Sequence, residues 1–313
     1  MAEDTSQQFR SFLVPLDGSQ LAEAVLPAVE RMAGRFQAVV TLLHVLEQQP
    51  PATIHGERHL TDSAEAETYL GVVADRLRAA GIAVTTHVHG AREGDVARSI
   101  VDHTQEIKAD LVILCTHGGS GIRGLLFGSI AQQVLRQGAG PILLVPPGAA
   151  ERTSVFDLDC MLVPLDGTPA HEPALAIAGV MARAFGAELH LVLVIPTLAT
   201  LSDERAAAGL LLPTTMTAIL DLAQQGAVDY LEQIVARCRA EGLAVTAEIL
   251  RGDAVPMVLD CAERLDANLI VMASHGRAGL DAILAGSVAP RIAGRVGRPL
   301  LLVRAGGVAE DDR

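Results

Sequence analysis

Short apolar runs alternate along the chain with longer amphipathic stretches, which predicts strands and helices in turn. Phe12–Leu16 reads as a first strand, and Asp17-Gly-Ser as a turn. Ser19 then caps a helix running to about Gly34. Pro27 falls inside that helix and is expected to bend it. Val39–Leu46 is almost continuously apolar, the pattern of a strand buried on both faces. Residues 48–63 show no periodicity and read as a loop, before a helix that ends near Ala80. Ala83–Val88 alternates and predicts a third strand, and a helix over Asp95–Lys108 leads to a fourth, Leu111–Cys115. A helix from Ser129 ends near Gly138, and Pro141–Val145 is a fifth strand.

The same order then repeats. Phe12-Leu-Val-Pro-Leu-Asp-Gly-Ser19 returns as Met161-Leu-Val-Pro-Leu-Asp-Gly-Thr168, and Asp17 and Asp166 stand 149 positions apart. Strands are expected at about 160–165, 188–195, 244–250, 269–273 and 299–303. Thr168 is the expected cap of the next helix, with Pro169 at its permissive first position. Gly81-Ile-Ala-Val-Thr aligns with Gly242-Leu-Ala-Val-Thr at an offset of 161, so about twelve extra residues follow the second strand of the second half. Loops absorb such changes more readily than core elements, so a loop is the expected place. Alternating strands and helices imply an α/β fold: two tandem Rossmann-like domains, each a five-stranded parallel sheet flanked by helices. The expected boundaries are 1–147 and 158–305, joined by a linker at 148–157 and followed by an acidic tail at 306–313.

Composition narrows the function. Half the residues are hydrophobic and only 3% aromatic, which suits a packed α/β protein and leaves little for base stacking. A net charge of −13 with no basic run repels a phosphate backbone, so no nucleic-acid partner is expected. The acidic, polar start lacks the basic and apolar regions of a signal peptide, and no run approaches the roughly 20 apolar residues that span a bilayer. A cytoplasmic protein without a membrane role is expected. Cys115, Cys160, Cys238 and Cys261 are widely spaced and read as small buried hydrophobes.

Candidate chemistry gathers after the strands, where open parallel sheets bind ligands. Cys115-Thr-His-Gly-Gly-Ser-Gly-Ile-Arg-Gly-Leu-Leu-Phe-Gly-Ser129 follows the fourth strand, and Ala273-Ser-His-Gly-Arg-Ala-Gly-Leu-Asp-Ala-Ile-Leu-Ala-Gly-Ser287 is its second copy. A strand, a glycine-bearing loop and a helix start expose backbone N–H groups to an anion. Asp17 could accept hydrogen bonds from a ribose or an adenine amine, or simply cap the first helix. Gly118 and Gly128 could be turn glycines, and Ser129 a plain N-cap. The recurrence of loop, Asp and spacing in both halves favours a binding role.

The pattern G-x2-G-x9-G-[S/T] after a strand, with an upstream [V/Y]-P-x-D, resembles the nucleotide-binding branch of the universal stress protein family. The resemblance covers nearly the whole chain as two tandem domains. It implies ATP, or ADP or AMP, with or without Mg²⁺, in each half. By position, Pro15, Asp17 and Val45 would meet the adenosine of the first half, and Pro164, Asp166 and Val194 that of the second. Cys115, Thr116, Gly118, Gly128, Ser129 and Ile130 would line the ribose and phosphates of the first site; Ala273, Ser274, Gly276, Gly286, Ser287 and Val288 would line those of the second. The resemblance also implies pairing of fifth strands, here within one chain as a pseudo-dimer, and whole-chain dimerisation is a further expectation. Cys115 and Ala273 depart from the pattern, which has glycine there. A small residue still inside the strand satisfies that position unless it needs positive φ. Arg123 in one loop aligns with Asp281 in the other, which ranks the first site above the second for ATP, with Arg277 as a compensating cation.

No P-loop lysine or arranged acid–base pair is visible, so no catalytic residue is assigned. His117 and His275 could contact phosphate, act as acid or base, or fix the loop. His55 and His59 sit among loop residues, and His87 and His89 read as an exposed pair at a strand end, so no metal site is expected. The leading expectation is a stress sensor or regulator that hydrolyses nucleotide slowly at most. The rivals are a nucleotide-independent module for regulatory protein partners, and a slow ATPase or nucleotidyl transferase.

Overall fold

The computed structural model describes residues 9–47, 53–54, 56–90, 95–116, 129–138, 140–148, 156–201, 211–274 and 288–305. The first half supplies β1 (Ser11–Pro15), α1 (Leu26–Phe36), β2 (Val39–Leu46), a small hairpin of β3 (Thr53–Ile54) and β4 (Glu57–Arg58), and α2 (Ser63–Ala79). β5 (Ala83–Gly90), α3 (Val96–Glu106), β6 (Leu111–Cys115), α4 (Ser129–Gln137) and β7 (Ile142–Val145) complete it. The second half supplies β8 (Cys160–Leu165), α5 (Glu172–Phe185), β9 (Glu188–Ile195), α6 (Pro213–Ala240) and β10 (Val245–Arg251). It ends with α7 (Ala254–Arg264), β11 (Leu269–Ser274), α8 (Val288–Ala293) and β12 (Leu300–Arg304).

Each half forms a parallel sheet, ordered β5-β2-β1-β6-β7 and β10-β9-β8-β11-β12. The two fifth strands pair antiparallel, Leu144 with Leu300, Leu143 with Leu301 and Ile142 with Leu302, fusing the halves into one ten-stranded sheet. An unpaired edge strand is a liability, and this pairing removes one from each half. All six seam side chains are buried. The strands of one half therefore run opposite to those of the other. Above the seam, Phe36 of α1 and Phe185 of α5 meet edge to face at 6.0 Å. They occupy matching positions of the repeat, so the contact lies on a pseudo-twofold axis, as in an isologous dimer. Arg31 pairs with Asp157 at 2.7 Å, and Arg35 donates to the carbonyl of Ala184.

Alternate strand residues feed two cores. Phe12 and Val14 pack with α1, α2, α5 and α6 on one face, while Leu13 faces the core that includes α3, α4, α7 and α8. This is the two-face burial expected of β2-like apolar runs.

Several local expectations need correction. Pro27 does not bend a long helix: Ala22–Val25 is a 3₁₀ turn, and Pro27 sits in the first turn of α1, where its missing N–H leaves no intrahelical bond unmade. Ser19 Oγ accepts from Ala22 N at 3.1 Å while donating to Asp17, whereas Thr168 keeps the matching bond to Asp166 but makes no side-chain cap. Residues 48–63 contain the β3–β4 hairpin, and Asp62 caps α2 by accepting from the N–H groups of Ala64 and Glu65. The extra length of the second half enters a helix rather than only a loop. α6 has 28 residues against 17 in its counterpart α2. The added turns extend the core rather than leave it: Leu220 is buried in the core on that face and Met216 packs against it.

Candidate functional site

In each half the strand order reverses beside the first strand, between β1 and β6 and between β8 and β11. Ligand crevices of open sheets form beyond the carboxyl ends at that point. In the second half a cavity of about 290 Å³ lies there. Pro164, Asp166, Val194, Ala273 and Val288 all line it. Its apolar wall is completed by Val192, Val258 and Met272, and His171 adds a second polar group beside Asp166.

Asp166 is held by its neighbours. Thr168 donates to Oδ1 from both its N–H (3.0 Å) and its hydroxyl (2.8 Å), and His171 Nδ1 lies 2.6 Å from Oδ2. Burial opposes ionisation of the carboxyl, but the hydrogen bonds from His171 and Thr168 outweigh it and hold Asp166 below the usual carboxylate range. Ser274 ends β11, with its Oγ 3.5 Å from the Val303 carbonyl and its own carbonyl accepting from Ala305 N at 2.8 Å.

The described candidates of the first half gather at the same end of the sheet. Pro15 ends β1, and Asp17 follows it in a turn, where it accepts from Ser19 N at 2.9 Å and Ser19 Oγ at 2.6 Å. Val45 lies near the end of β2 and is buried. Cys115 closes β6, and burial together with the nearby Asp17 charge pushes its thiol up to about 12. Neither Cys115 nor Ala273 has a positive φ, so the glycine missing from the pattern leaves no backbone strain at either position. Thr116 N donates to the Val145 carbonyl at 2.9 Å. Ile130 sits in the first turn of α4 and packs against the core beneath.

The hairpin segment leans on this end of the first half. Glu57 accepts from Gln20 N at 3.0 Å, and Leu60 lies so close to Gly18 that a Cβ there would meet its Cδ1 at 2.7 Å. His44, buried under the same turn, bonds the Leu16 carbonyl through Nδ1 at 2.8 Å. Gly118, Gly128, Gly276, Gly286 and Ser287 lie outside the described residues, as do His55, His117, His275, Arg123, Arg277 and Asp281 and the side chain of Ser129.

His171 carries no signal in the repeat, which places Ala22 at its position. A second group was legible there. Tyr69 and Tyr230, Glu23 and Glu172, and Arg76 and Arg237 are matched pairs. Arg76 bonds Glu23 at 2.6 Å and Arg237 bonds Glu172 at 2.8 Å, tying α2 to the 3₁₀ turn before α1 and α6 to the first residue of α5. Burial and the charges of Glu172 and Asp166 push the Tyr230 phenol up to about 12.

The universal stress protein family model matches residues 8–146 and 159–304. A universal stress protein of Mycolicibacterium smegmatis is 27% identical over 312 residues, covering 93% of this chain and 96% of its own length. A shorter one from Synechocystis sp. is 33% identical over 140 residues, covering 44% of this chain and 86% of its own. Among solved structures, a universal stress protein from Archaeoglobus fulgidus superposes with a TM-score of 0.71 at 21% identity, covering 95% of this chain and 98% of that one. With both halves matched and the tandem α/β architecture in place, the chain belongs to the universal stress protein family.

Proposed function

We propose that the chain binds an adenine nucleotide at the carboxyl ends of its strands, in both halves, and serves as a cytoplasmic stress sensor or regulator with slow hydrolysis at most. Residues 1–147 and 158–305 are the two binding units in this reading, joined at 148–157. The observation that carries it is the second-half cavity. Its volume of about 290 Å³ is near the lower end of small-ligand sites, which suits a nucleoside-sized group. Val192, Val194 and Met272 would flank the base, and Asp166 would accept a ribose hydroxyl. The phosphates, and any Mg²⁺, would fall to the glycine-bearing loops that follow β6 and β11. Asp17 and Val45 have the matching roles in the first half.

The test is to denature freshly purified protein and quantify released nucleotide per chain. Two equivalents are expected, and Asp166→Asn should weaken the second site by about 10- to 100-fold, the worth of a hydrogen bond to a charged group. No nucleotide, with no melting shift at millimolar ATP, would remove the reading. It would leave a module that acts through protein partners alone. One observation favours that rival: the carboxylates of Asp17 and Asp166 already serve their own turns through Ser19 and Thr168.

A further inference from the structure

At the carboxyl end of β5, where His89 pairs in register with Val45 of β2, the first half gathers three histidines at the outer edge of its sheet. His87 and His89 are two apart on β5 and so share a face, and β5 is an edge strand. His103 of α3 packs against both, with ring centroids 4.7 Å from His87 and 4.6 Å from His89. The exposed pair expected from the sequence is thus a trio: one nitrogen from each ring lies within 4.8 Å of the others, and burial rises from exposed His87 through His89 to buried His103. His103 Nδ1 bonds the Ser99 carbonyl at 2.8 Å. That bond fixes the tautomer and leaves the lone pair on Nε2, the arrangement that second-shell carbonyls impose on ligating histidines. Glu106 Oε2 lies 3.9 Å from the same Nε2.

The repeat supplies an internal control. At the matching corner of the second half, Glu248 replaces His87, Cys261 replaces His103 and Arg264 replaces Glu106. There the cluster is already closed. Glu248 accepts from His190 Nε2 at 2.8 Å, from the Cys261 thiol at 3.2 Å and from Arg264. A resident guanidinium therefore neutralises the one carboxylate. The first half has a carboxylate where that cation stands, and three imidazoles in front of it.

We propose that His87, His89 and His103 bind a divalent first-row transition-metal ion of the Zn²⁺ type, with Glu106 as the fourth ligand. Imidazole nitrogens and a carboxylate suit such ions. Tetrahedral Zn–N bonds of about 2.0–2.1 Å set the nitrogens about 3.4 Å apart. Rotation of the exposed His87 and of Glu106, which is 74% exposed, closes the remaining gap.

The experiment uses untagged full-length protein, stripped with a chelator and titrated with Zn²⁺ by calorimetry in the absence of nucleotide. One tight site per chain is expected. His103→Ala and Glu106→Arg, the latter importing the residue of the second half, should each lower the affinity by more than about 10-fold. His87→Ala, at an exposed position, should do so without shifting the melting point of the metal-free protein. Co²⁺ should bind without a thiolate charge-transfer band. Unchanged Zn²⁺ affinity in the His87→Ala/His89→Ala double variant, or a thiolate band lost in Cys261→Ser, would overturn the assignment.

Discussion

His44 and Asp166 illustrate how single side chains set the acid limit of this fold. Burial disfavours the charged imidazole of His44, and His59 nearby adds to that, so its pKa lies below the ordinary 6.5 despite the bond to Leu16. A group depressed on folding contributes stability above its ordinary pKa and loses it as pH falls through the folded value. Asp166 behaves likewise below its ordinary 3.8. Stability should therefore fall with acid in two windows, one below pH 6.5 and one below pH 3.8. Urea midpoints followed from pH 7.5 downwards should show the first window flattened in His44→Gln and the second in Asp166→Asn. The same scale separates two turn glycines with similar backbones. Gly18 (φ +91°) and Gly167 (φ +83°) both occupy a left-handed conformation, worth about 1–2 kcal/mol against any Cβ. At Gly18 a Cβ also meets Leu60 at 2.7 Å, whereas at Gly167 the nearest atom is Leu193 Cδ1 at an ordinary 3.6 Å. Gly18→Ala should therefore lower stability more than Gly167→Ala, and equal losses in urea unfolding would contradict the hairpin's contact with that turn.

At the scale of elements, the sequence held most of the sheet and less of what surrounds it. β6 and β9 fall where their apolar runs predict, because a strand buried on both faces must be apolar nearly throughout. The hairpin of β3 and β4 was not legible, since two-residue strands carry no periodicity. The repeat offset gives the length of the insertion but not its place: α6 takes it up as added helical turns at its start, where Leu220 is buried, rather than as loop. Of the cavity's lining, Pro164, Asp166, Val194, Ala273 and Val288 are residues that the family resemblance names by position, but His171 is private to one half and could only be found in three dimensions. The histidine trio was hidden for a related reason. His87 and His89 are a visible pair, yet nothing in the spacing from β5 to α3 says that His103 faces them.

For the whole molecule the seam matters most, because it makes one sheet of two. Leu301 pairs with Leu143 at its centre, and both are fully buried. A charge placed there has no partner and no water, a substitution of the kind that costs several kcal/mol. Leu301→Asp should split urea unfolding into two transitions, one per half, while the unmodified chain unfolds with the halves coupled. A single transition with an unshifted midpoint would show that the seam contributes little to their coupling.

The direction of that seam has a consequence for how the protein meets multivalent ligands. Because β7 and β12 run antiparallel, the carboxyl ends of β1 and β6 lie on one margin of the sheet and those of β8 and β11 on the opposite margin. Four strand spacings of about 4.8 Å further offset the two places sideways. Effective concentration vanishes for a tether that cannot span its sites. Under the nucleotide reading proposed above, a short bis-adenosine ligand would therefore gain no avidity from a single chain. Two such chains bridged by it would instead be joined end to end, a geometry that favours open strings over closed pairs.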